Sequence, residues 1–198
     1  MAGMIFLLTA WVTWIYSTFI MDKKSMYRWP IAMFSLIFII IKDFSFSSYS
    51  LHLTVPSILM LAICYYLASR LPLKKQLHLL FTVFTLMIGY TGFLLFEMYD
   101  PIWMFIDRVV LISFFLFIFS YFVYSSSVIT RILLVCLGTL QGDIIFALFL
   151  SKWNMPYIIG SKEYLDIISI TIFSIIFINY ISNITAITRM KGSKKMYH

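Results

Sequence analysis

A chain of 198 residues that is 62% hydrophobic and only 12% charged cannot clothe a soluble domain, which needs about a quarter of its residues charged. Most of its surface must therefore face lipid. Its net charge of +7 sits on lysines and arginines in short segments between apolar runs, which is the pattern of membrane topology and argues against a nucleic-acid face.

Seven apolar runs follow in order, over residues 3–21, 29–48, 53–69, 77–96, 102–124, 131–150 and 166–187. Roughly 20 residues of helix cross a bilayer core of about 30 Å, and backbone exposed to lipid must satisfy its hydrogen bonds internally, so helices are required. The expectation is an all-α, polytopic transmembrane bundle of seven helices forming a single domain over 1–198, since the connections leave no room for a soluble one. The first run, "MAGMIFLLTAWVTWIYSTFIMDKK", has no positive n-region and no small-residue cleavage site, and its lysines follow the apolar stretch. It reads as a retained helix with its N-terminus outside.

Counting charges tests that orientation. The inner segments would hold Lys23, Lys24, Arg28, Arg70, Lys74, Lys75, Arg131, Arg189, Lys191, Lys194 and Lys195, leaving Lys42, Arg108, Lys152 and Lys162 outside. The positive-inside rule then places the C-terminus in the cytoplasm, which an odd number of spans requires. The basic tail "TRMKGSKKMYH" reads as a stop-transfer flank that can also touch anionic lipid.

Polar residues inside these runs are the candidate site. In the second run "WPIAMFSLIFIII" covers only about 20 Å as helix. Either the helix continues through "KDFSFSSY", carrying Lys42 and Asp43 into the hydrocarbon, or it ends at Ile41 with both charges at the interface. A fifth helix starting at Pro101, which suits a first turn, would place Asp107 and Arg108 about 10 Å deep. Asp143, seven residues before Leu150, reaches nearly the same depth. These residues form a candidate intramembrane polar layer of Lys42, Asp43, Asp107, Arg108 and Asp143. Buried charges in lipid usually pair across helices, so Lys42 or Arg108 is the expected partner of Asp143. Three readings stay open: an ion-pair layer that sets helix register, a solute or ion site opening outward, and misplaced span boundaries with Asp143 alone buried.

Gly138 and Gly142 make a G-x-x-x-G that lets another helix approach closely. Gly89 and Gly92 invite the same reading. In the last run Thr171, Ser174, Asn179, Ser182 and Asn183 share a broad face suited to interhelical hydrogen bonds. Cys64 and Cys136 lie inside apolar runs and read as core residues. Glu97, Asp100 and Asp107 read as an acidic outer loop in preference to a weak cation site. No metal-ligand spacing, nucleophile elbow or phosphate loop is present, so neither enzyme activity nor a cofactor or metal is expected.

The opening "WVTWIYSTFIMDKK", the "DPIWMFIDR" segment and the chain length resemble the YphA-like family of small membrane proteins of Bacillus-type firmicutes. The resemblance implies a protein of the bacterial plasma membrane linked to the cell or spore envelope, and it brings no catalytic residues. The functional expectation is a non-enzymatic integral membrane protein acting through helix and lipid contacts, with membrane lipid and a membrane protein as partners and no nucleic acid. The alternative is a small solute-binding membrane subunit of a transporter with an outward-facing polar site.

Overall fold

A helix that is apolar all round belongs inside a bundle, and α6 (Val128–Ser151) is such a helix. The computed structural model describes residues 2–48, 51–100, 107–124 and 127–195. In it α6 is the hub: 67% of its most apolar stretch is buried, against 33% for α4 (Leu73–Tyr99) and 39% for the part of α7 up to Ser182. These three are long and apolar enough to cross a membrane. Around them stand α1 (Met4–Ile15, continued by a π-helical turn Tyr16–Ile20), α2 (Arg28–Ile41), α3 (Val55–Ser69) and α5 (Arg108–Val123), while α7 runs Lys162–Lys195.

Local chemistry sets the helix ends. Arg28 donates from Nε to the Ser17 carbonyl at 3.1 Å and from Nη2 to the Thr18 carbonyl at 2.6 Å, capping the exposed carbonyls where α1 ends. Pro56 occupies the first turn of α3, where a missing N–H costs nothing. Asp107 caps α5 by accepting from the Val109 and Val110 amides at 2.9 and 3.4 Å.

The second span was expected to cover 29–48, but α2 stops at Ile41 and a strand β1 (Ser45–Ser48) follows. The third was expected from 53, but β2 (Leu51–Thr54) delays the start of α3 to Val55. Leu51 and Leu53 alternate with His52 and Thr54, the period of a strand. β2 pairs antiparallel with β1, Phe46 opposite Leu53, and parallel with β3 (Ile158–Ile159), Leu53 opposite Ile159. The bundle is thus mostly helical but carries a small three-stranded sheet. The expected start of the fifth span, with Pro101, lies outside the described residues. α4 and α7 begin four residues earlier than expected, and α7 continues beyond 187 to Lys195.

The helices alternate in direction, so the same ends meet. At the end carrying the sheet, the N-termini of α1, α3, α5 and α7 meet the C-termini of α2, α4 and α6. Gly3 and Phe6 amides donate to Asp166 at 2.6 and 2.8 Å, which pins α1 to α7. Gly138 and Gly142 bring α4 onto α6: a Cβ on Gly138 would lie 2.7 Å from Leu86 Cδ2, and one on Gly142 3.1 Å from the Met87 carbonyl. This is a close approach of α4 to α6. Gly89 and Gly92 do not share it, because a Cβ there meets nothing within 4 Å. They lie on the outer face of α4. α1 and α2 remain peripheral, with Ser35 the one buried residue of the two helices.

Candidate functional site

Asp143 is fully buried on α6, about 12 Å below the Ser151 end of the helix at 1.5 Å per residue. The chain after α6 folds back into the bundle and delivers two donors to it. The Tyr157 hydroxyl donates to Oδ1 at 2.5 Å, and the Gly160 amide donates to Oδ2 at 2.7 Å. Such short contacts are those of charge-assisted hydrogen bonds. The Tyr157 hydroxyl is the donor of its pair, since a carboxylate oxygen can only accept.

The expected cation partner is therefore corrected. Lys42 lies 3.8 Å from Asp43, and Arg108 reaches Glu97 at 3.0 Å and Glu163 at 3.1 Å. Neither forms an ion pair with Asp143. The reason is geometric: Lys42 follows the last residue of a short α2, and Arg108 is the first residue of α5, so both sit at helix ends above Asp143. A returning loop fills the space a cation was expected to occupy. Asp43 is held by Lys162 at 2.7 Å, and that hydrogen bond keeps its carboxyl below the usual range. Asp107 serves as a helix cap.

Gly160 is the hinge of the arrangement. Its φ of +67° lies in the left-handed region, where glycine alone is unstrained. A Cβ there would lie 2.4 Å from Ser57 Cβ and 2.7 Å from Thr54 Oγ1. Thr54 Oγ1 donates to the Gly160 carbonyl at 2.8 Å. Both backbone groups of this glycine are thus satisfied inside the bundle, as non-helical backbone at membrane depth requires. Tyr164 extends the network below, its hydroxyl 2.9 Å from Thr139 Oγ1.

The small hydroxyls of α7 turn back on their own helix. Thr171 donates to the Ile167 carbonyl and Ser169 to the Leu165 carbonyl, each at 2.8 Å. Asn179 is half-buried and makes no side-chain hydrogen bond among the described residues. The expected interhelical bonding along this face is not found there, while the side chain of Asn183 lies outside the described residues. Cys64 and Cys136 are free and buried, as a core reading requires. Among the described residues no group of His, Cys, Asp and Glu could hold a metal ion.

Tyr157, Gly160, Glu163 and Asp166 were not singled out from the sequence, and Lys162 entered only in the charge count. The string "GSKEYLD" (160–166) does carry a helix-start signal, Ser161 followed by an acidic first turn. A glycine before such a start, between apolar runs, marks the turn where they converge.

The family described as YphA-like integral membrane protein matches residues 2–196. The chain belongs to that family. No curated protein and no solved structure matches it. A YphA-like protein is by that description integral to the membrane, and the three long apolar helices of this chain suit that environment.

Proposed function

We propose that this YphA-like protein is a non-enzymatic, multi-pass protein of the bacterial plasma membrane, a single domain of seven spans, which works through helix and lipid contacts in the cell or spore envelope. The observation that carries the reading is the self-sufficiency of Asp143: both carboxylate oxygens are occupied by the protein's own Tyr157 and Gly160. A group spent on holding a loop is not free to act on a solute. The sizeable cavities between helices also have mostly apolar walls, such as the one of about 340 Å³ bounded by Phe38, Ile63, Leu133 and Ile168. The N-terminus lies outside and the C-terminus in the cytoplasm, since the sheet end holds Lys42, Arg108, Lys152 and Lys162 while the other basic residues fall toward the opposite end. The basic tail meets anionic lipid, and a membrane protein partner completes the complex.

Reporter fusions test the topology. Alkaline phosphatase inserted after Asn154 should be active and a fluorescent protein at the C-terminus should glow; the reversed pattern would contradict the orientation. For the role, mass spectrometry of protein purified in native membrane patches should find lipid and membrane protein retained. The second reading, a solute-binding subunit, is favoured by the cleft of about 220 Å³ walled by Lys42, Asp43 and Lys162. A water-soluble molecule that co-purifies with wild type and is lost in Lys162→Ala would select it.

A further inference from the structure

The pair α1–α2 is attached to the bundle through α1, which Asp166 pins to α7. α1 packs on α2 and α7, whereas α2 hardly meets α3. The resulting gap has α7 as its floor and holds three cavities that share walls. The first, at the sheet end, is about 220 Å³ and is bounded by Lys42, Asp43, Ser45, Thr54, Ser161 and Lys162. At Leu165 it adjoins a second of about 340 Å³. That one shares Phe6, Phe38, Ile63, Ser169 and Ile172 with a third of about 370 Å³, which reaches Ile176. The walls change along the groove from two lysines and three hydroxyls to mainly apolar side chains, with Ser169 in the second cavity and Thr9, Thr13 and Ser35 added in the third.

Length and charge identify the occupant. From Leu165 to Ile176 the floor helix rises about 16 Å, close to half of a hydrocarbon core of about 30 Å, which is the depth of one leaflet. The mouth carries Lys42 and Lys162 against Asp43, leaving a single net positive charge. A phosphodiester monoanion matches it, whereas a zwitterionic headgroup would leave it uncompensated. Lys162 has three ammonium protons, so it can keep Asp43 and still bond a phosphate oxygen.

We propose that this groove seats one anionic glycerophospholipid of the phosphatidylglycerol type, its phosphodiester at Lys42 and Lys162 and an acyl chain between α2 and α3 over α7. The inference rests on the membrane-embedded reading above and names its lipid partner.

The test uses the full chain, stripped of lipid in detergent. Phosphatidylglycerol or phosphatidylethanolamine with identical acyl chains is added back, and adducts are read by native mass spectrometry. Wild type should retain one phosphatidylglycerol in preference to phosphatidylethanolamine. The double variant Lys42→Ala, Lys162→Ala should bind it about tenfold or more weakly, since each lysine near a lipid surface contributes about a factor of five. Ser169→Phe, which keeps both lysines and fills the shared apolar wall, should lose the adduct, and Ser169→Ala should keep it. Thermal melts without lipid report whether each variant folds; if the lysine variant does not, salt titration of wild type replaces it and should weaken retention. Equal retention of the two lipids, or phosphatidylglycerol retention undiminished by Ser169→Phe, would overturn the site. A correct result in the fusion experiment beside such an outcome would sink the lipid site alone and leave the membrane topology standing.

Discussion

Asp143 shows how a carboxylate can sit among apolar side chains without a cation beside it. Two directed donors replace the lost water, and the loop that supplies them needs an acceptor just as much. Removing the acceptor strands the Gly160 amide and the Tyr157 hydroxyl, at about 1–3 kcal/mol for each buried group left unpaired. Gly160 is the most restrictive residue of the set. Gly160→Ala combines a left-handed φ of +67° with a Cβ placed 2.4 Å from Ser57 Cβ, so it should lower the melting temperature sharply. Ser57→Gly beside it should recover only part of the loss, because the backbone strain remains. An alanine variant that melts like wild type would show that the loop does not pack as described. That an acid lies buried in α6 was legible from the sequence, since a lone aspartate in an apolar run has few other places to be. Its partner was not, because Tyr157 and Gly160 reach it only through the path of a loop, and no spacing along the chain encodes that path.

Among the helices, the two glycine pairs make a matched comparison. Gly138→Ala drives a Cβ to 2.9 Å from Leu86 Cβ, an atom fixed to the α4 backbone, and overpacking of this kind costs about 1–3 kcal/mol. Gly89→Ala meets open space within 4 Å and should be neutral or stabilise by up to about 1 kcal/mol, the gap in helix propensity between the two residues. Melts of the two variants side by side decide whether α4 faces α6 as seen here. Both pairs looked alike in sequence; only the rotation of α4 separates them, and a helix apolar on most of its surface does not reveal its rotation. The contact between α2 and α7 answers to pH. Asp43 is held below its ordinary value of 3.8 by Lys162, so the contact contributes above that value and is lost as pH falls through the lowered one. Asp43→Asn should therefore melt slightly below wild type at neutral pH, and the two should converge well below pH 3.8. Persistence of the difference in acid would mean that Asp43 acts by something other than its charge.

Across the whole molecule, seven helices among the described residues alternate in direction and bring one set of ends together. The number and order of the helices were readable from hydropathy, because each long apolar run can satisfy its own backbone as a helix. The small sheet was not, since "SFSS" and "LHLT" are short and acquire meaning only when Ile158 and Ile159 arrive beside them. That sheet, the returning loop and the helix ends close the polar end of the bundle without an ion pair to its centre. A double-mutant cycle tests this account most directly. Asp143→Asn is combined with Tyr157→Phe in one cycle and with Lys42→Ala or Arg108→Ala in two others, and stability is followed by thermal melting in detergent. Direct partners couple by about 0.5–3 kcal/mol, whereas residues with no shared contact add to within about 0.5 kcal/mol. The account requires coupling to Tyr157, additivity with Lys42, and no more than weak long-range coupling to Arg108, which is paired with Glu97 and Glu163. Coupling of Asp143 to Lys42 or Arg108, with additivity at Tyr157, would contradict it and restore the ion-pair layer.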